Sequence, residues 1–229
     1  MDLTADDIKA WLDGGGKLPF ASELIGSGTL TNSEGAPVEY ELRLGWDLAI
    51  ARLCDTSWGA FNISLVEHLA GLQVSESELT AILDAVQLDD GHWSWFDKSA
   101  AYRGEAYKWF FVLAEGMPQA ACLIFHPKPS AIDACDIFYI EYVAVAPWNR
   151  VNPLCERKYK GLGKLIIQVA ASYAVQELKY RAGYSLHALP KAVAFYQSLG
   201  MQPFPELDKD ELPYFEMPES KCGLHEEAA

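Results

Sequence analysis

The chain has 229 residues, 50% hydrophobic and 22% charged, which suits one large packed domain, or a medium one with an appendage, and excludes disorder and fibrous repeats. Thirty-two acids against eighteen bases leave a formal charge of −14, so most of the surface repels nucleic acid and anionic lipid, and a neutral or basic partner approaches more easily. No apolar run approaches the roughly 18 residues of a membrane span, Asp2, Asp6 and Asp7 stand where an export leader would be basic and apolar, and five cysteines without a C-x-x-C pair fit reduced thiols; the expectation is a cytoplasmic protein with no membrane partner, disulfide framework or zinc ribbon.

In chain order, Thr4 caps a short expected helix whose apolar side is Ile8, Ala10, Trp11 and Leu12. We assign residues 1–35, including a Gly, Ser and Asn-rich stretch from Gly26 to Gly35, to an N-terminal helical appendage. Val38, Tyr40, Leu42 and Leu44 alternate with Glu39, Glu41 and Arg43, which predicts the first strand of the main domain. From Trp46 to Arg103 the pattern is helical, clearest at Ser75 to Val86, where Ser75 and Glu78 form a capping-box pair. Trp93, Trp95, Phe96 and Tyr102 follow, an aromatic group fit for core packing, an acceptor pocket or a homodimer contact.

Tyr107–Ala114 and Ala120–Phe125 read as two antiparallel strands joined by Glu115 to Gln119. Ile137–Ala146, rich in Ile, Phe, Tyr and Val, is the strongest strand signal, and Pro147 stops it. A helix over Leu162–Leu178, a strand at Tyr184–Ala188 and a helix at Lys191–Leu199 complete a β-α-β unit with a further helix. Met201–Met217 holds room for two short strands, and residues 219–229 read as an acidic tail.

The chemistry-bearing segment is Arg150 to Lys164. Five bases, Arg150, Arg157, Lys158, Lys160 and Lys164, stand against the single acid Glu156, a net of +4. They surround Gly161-Leu162-Gly163 at a helix start, so free backbone N–H groups, the helix dipole and cations converge on an anion site, most simply for phosphates. A Walker loop does not fit, because Lys158 replaces its first glycine and Leu165 its hydroxyl residue; a dinucleotide fingerprint does not fit either, because Ile166 replaces its third glycine.

Tyr139-Ile140-Glu141-Tyr142-Val143-Ala144-Val145-Ala146-Pro147, Lys158 to Leu165, and Ala194-Phe195-Tyr196-Gln197-Ser198-Leu199-Gly200-Met201, in this order and spacing, resemble the GNAT superfamily of N-acetyltransferases, firmly over 105–217 within a domain of 36–218. The resemblance implies an α/β fold of the α+β type: a mixed, strongly twisted central sheet with helices on both faces and a splayed strand pair that admits acetyl-CoA. It implies that Lys158, Lys160, Gly161, Leu162, Gly163 and Lys164 hold the diphosphate, with Arg157 or Arg150 sharing the contact because Lys158 stands where the family has Arg or Gln. The pantetheine would pair with the backbone of Val143, Ala144 and Val145. An Asn often found before the last helix is Leu189 here.

The implied reaction is direct acetyl transfer from acetyl-CoA to a primary amine of a small molecule or protein; the alternative is a catalytically silent acyl-CoA-binding or partner-binding module. Glu141, the only charged group on its apolar strand, is the candidate base. Tyr196 matches the family's tyrosine that serves the departing thiolate, and His187 lies near the same opening. No metal ligand spacing occurs, so none is expected.

Overall fold

The structure, a computed structural model, describes residues 21–223; the helix expected over Thr4 to Leu12 and the last six tail residues lie outside them. Eight strands form one sheet in the order β1-β2-β3-β4-β5-β6-β8-β7. They are β1 Glu23–Thr31, β2 Pro37–Leu44, β3 Tyr107–Ala114, β4 Met117–Pro129, β5 Asp136–Val145, β6 Tyr184–His187, β7 Gln202–Pro203 and β8 Tyr214–Glu216. Every neighbouring pair is antiparallel except β5 and β6, which run parallel. Among the described residues five α-helices accompany this frame: α1 Leu48–Ala70, α2 Glu76–Ala85, α3 Trp95–Ala101, α4 Leu162–Gln176 and α5 Val193–Ser198.

Period-two alternation divides the core. Phe110, Val112, Cys122, Ile124, Phe138 and Ile140 face α4, whose Leu162, Ile166, Ile167, Ala170 and Ala174 form the complementary stripe. Their neighbours Trp109, Phe111, Leu113, Ala121, Leu123 and Ala144 face α1 and α3, meeting Ile50, Cys54, Trp58 and Trp95. A third cluster joins Leu65, Leu69 and Val86 to Leu154, which ties the loop after β5 to the helical face. The expected α4, β5 and β6, and the Ser75–Glu78 capping box, are all present.

Several elements differ from expectation. β1 lies inside the stretch read as appendage and pairs with β2 along its length. Its glycines are packing residues: Gly28 opposes Tyr40, and a Cβ there would come within 2.7 Å of the Tyr40 ring. The β3–β4 turn is two residues, not five, with Glu115 at φ 53° and Gly116 at φ 72°, the twist that a two-residue hairpin requires. The last helix starts as a 3-10 turn at Pro190–Ala192. The first part of the expected tail is packed, since Cys222 is buried.

Candidate active site

β5 pairs with β6 only from Phe138 to Ile140, opposite Tyr184 to Leu186. Beyond Ile140 the parallel ladder stops and β5 continues to Val145 without β6, so the two strands part. At that vertex the β4 register jumps from Leu123–Tyr142 to Ile124–Ile140, which leaves Glu141 as the extra residue of a β-bulge. Ala146 donates its N–H to Gln119 O on β4. Antiparallel alternation then aims the backbone groups of Val143 and Val145 away from β4, into the opening. The walls close in around Gly163, where a Cβ would lie 3.9 Å from Val145 and 3.8 Å from Phe195.

Glu141 is half-buried, and that burial raises its carboxyl above the usual range while Lys209 and Lys128 pull it partly back. Tyr139, on the same strand, donates its hydroxyl to His187 Nδ1 at 2.6 Å, and His187 Nε2 donates to the Leu207 carbonyl at 2.9 Å. A carbonyl only accepts, which assigns the ring proton to Nε2 and leaves Nδ1 as the acceptor. Burial holds the imidazole below its ordinary value. His187 therefore pins the Leu207–Lys209 segment beside Glu141. Lys209 was not anticipated, although it is the lone base in the run Asp208 to Glu211, the one available signal.

The segment expected to bind an anion enters through Asn149, whose side-chain oxygen accepts from the Tyr159 N–H. Tyr159 is buried, so Lys160 and Gly161 emerge at a defined place. Gly161 caps α4 at φ 80° with nothing within 4 Å of a would-be Cβ. An L-residue there costs about 1 kcal/mol or more, and its side chain would fill the approach. No side chain caps the first turn and no acid lies in it; Leu162 turns into the core while Lys160 and Lys164 stand exposed.

Two expectations about cations change. Lys158 is ion-paired with Glu115 in the β3–β4 turn, which Tyr159 Oη also contacts. Both partners are substantially exposed, so an incoming phosphate can compete for the ammonium. Arg150 is committed elsewhere: its guanidinium donates to both Asp90 oxygens at 2.5 Å and to the Val145 and Gln87 carbonyls. Charge alone drew it into the phosphate set; a carboxylate 60 residues away takes it out.

The structure places Tyr196, expected at the departing thiolate, in the core, and its neighbour Phe195 beside Gly163. Tyr196 is 7% exposed within the α4-side core, whereas Phe195 is 39% exposed and lines the opening. Burial pushes the Tyr196 hydroxyl well above its usual value, with Cys122 and Tyr139 nearby, so it stays protonated at neutral pH. Within the aromatic group Trp95 is buried against Trp109, Trp93 packs on Tyr142 and Tyr102 on Tyr107, while Trp93, Phe96 and Tyr102 keep part of their surface exposed. Among the described residues no three His, Cys, Asp or Glu side chains are placed to share a metal ion, and no helix is long and apolar enough to cross a membrane.

An α/β chain built on a mixed eight-stranded sheet that splays beside a glycine-started helix is the architecture that the sequence resemblance implies. No family model matches the chain, and no curated protein does. It is similar to solved structures. A protein from Bacillus halodurans, described as uncharacterized, is 10% identical, over 87% of this chain and 94% of that one, with a TM-score of 0.49. A putative acetyltransferase of the GNAT family from Desulfovibrio desulfuricans is 12% identical, over 79% and 99%, with a TM-score of 0.44. The Campylobacter jejuni N-acetyltransferase PseH, in complex with acetyl coenzyme A, is 16% identical, over 66% and 95%, with a TM-score of 0.36.

Proposed function

We propose that this chain is a cytoplasmic N-acetyltransferase of the GNAT superfamily that moves an acetyl group from acetyl-CoA to a primary amine of a small molecule or protein by direct transfer. One observation carries the reading: uncapped amides at the start of α4, the outward-turned backbone of Val143 and Val145, and the half-buried Glu141 follow one another along a single opening between β5 and β6. The residues fit a diphosphate coenzyme, since Gly161 leaves open space before those amides and Lys160 and Lys164 flank it. The transferase unit would begin at β1 rather than at residue 36, because β1 completes the sheet edge.

When bound, the coenzyme would supply the activated acyl thioester. Gly161 to Lys164 would hold its diphosphate by backbone N–H groups, with Lys158, Lys160, Lys164 and Arg157 adding charge. The Val145 carbonyl is already shared with Arg150, so its amide is the freer group for a pantetheine. An acceptor ammonium must lose a proton, which costs about 4 to 5 kcal/mol at neutral pH. Glu141 takes that proton, directly or through water; its raised basicity serves this better than an ordinary carboxylate would. The Tyr196 hydroxyl would serve as donor to the departing sulfur from the core side of the opening, where the ring is buried.

Calorimetry with acetyl-CoA, followed by thiol release against a panel of primary amines, tests the proposal. Binding together with amine-dependent release supports it. Binding without release from any amine replaces it with the silent acyl-CoA-binding alternative, and absence of binding removes both.

A further inference from the structure

On the α1 side of the sheet lies a cavity of about 300 Å³ that the transfer chemistry above does not use. Trp58, Trp93 and Trp95 line it, with Asp55, Asp90 and Arg150. The indoles meet edge to face, Trp58 with Trp95 at 5.6 Å and Trp93 with Trp95 at 6.0 Å. The charges are unequal in effect. Asp90 is matched by Arg150 in a fork of two hydrogen bonds. Asp55 accepts only from neutral groups, the amides of Trp95 and Phe96 and the Ser94 hydroxyl, so the cavity keeps one carboxylate with no cation bonded to it.

The protein itself places a cation on the outer wall of this site. Lys98 Nζ lies 3.6 Å from the Tyr142 ring centre and 5.2 Å from that of Trp93, and Asp55 attracts it electrostatically. Aromatic faces with a nearby carboxylate bind organic ammonium groups, because the ring quadrupole attracts the charge while the rings cover the hydrocarbon. The cavity also adjoins the proposed transfer site, since Trp93 packs on Tyr142 at 4.9 Å and Tyr142 follows Glu141 on β5. Arg150 joins the two spaces, holding Asp90 in one and the Val145 carbonyl in the other.

We infer that this cavity binds the cationic group of an organic ammonium compound. The binding of a cation here stands apart from the acetyltransferase reading. The test titrates the full chain with 1,5-diaminopentane and with 1,5-pentanediol, its neutral counterpart of similar size, reading tryptophan fluorescence. The diamine is expected to bind about tenfold more tightly than the diol, and Trp93→Leu, shown to be folded by circular dichroism, is expected to abolish that preference. Equal affinity for the two compounds, or no saturable binding of either to the unaltered protein, overturns the inference. Acetyl-CoA calorimetry on the same sample separates the two claims. Diamine binding without acetyl-CoA binding keeps the cation site and removes the transferase; the reverse keeps the transferase and removes the site.

Discussion

Glu141 owes its position to a bulge and its basicity to burial, and the two effects have opposite consequences for stability and function. Its folded pKa lies above the ordinary carboxylate value, so its stabilising contribution is fully present at low pH and is lost as pH rises through the raised value. Glu141→Gln is therefore expected to raise Tm at pH 7 and leave it nearly unchanged at pH 4, while thiol release falls about a hundredfold. Thermal scans at both pH values and a steady-state assay check this. The wild-type rate should itself fall on acidification, with a midpoint above that of a free Glu side chain. His187 has the opposite sign: its depressed value gives stability that is present above the ordinary imidazole range and is lost as pH falls. Hydrogen-exchange protection factors over residues 204–213, corrected for intrinsic rates, should be high at pH 7 and lower at pH 5, whereas His187→Ala should show low protection at both.

The hairpins and helices follow local chemistry where local chemistry suffices. The Ser75–Glu78 pair closes both halves of its capping box, and the alternation of β2 survives intact in the sheet. β1 escaped detection because its glycines look like loop residues until Tyr40 lies across Gly28. The segment after α2 is held from two sides by cations that sequence patterns do not connect. Lys191 Nζ donates to the Leu83 and Val86 carbonyls, and Arg150 holds Asp90 with both side chains only 10% exposed. Breaking a buried pair strands its partner, so Asp90→Ala should cost about 3 kcal/mol in urea unfolding. Removing Glu115 from its exposed pair with Lys158 should change stability little.

At the scale of the molecule, a chain of charge −14 gathers cations where α4 begins. Doubling the substitution, Lys160→Glu with Lys164→Glu, should weaken acetyl-CoA binding at least about tenfold and flatten its dependence on salt, measured by calorimetry across ionic strengths. Fold stability should be unaffected, because both side chains are exposed.

The strands from β2 to β6, helix α4 and the basic glycine turn were readable from sequence because each depends on neighbours within a few residues. Glu141 was visible as the lone charge on an apolar strand, and its half-burial is what the structure adds. Tertiary structure alone decided that Arg150 serves Asp90, that Tyr196 rather than Phe195 enters the core, and that three tryptophans line one open cavity. Those outcomes depend on groups brought together from distant parts of the chain, and on a bulge whose register exists only once β4 and β5 have paired. Composition and periodicity carry no information about such partners until the sheet is assembled.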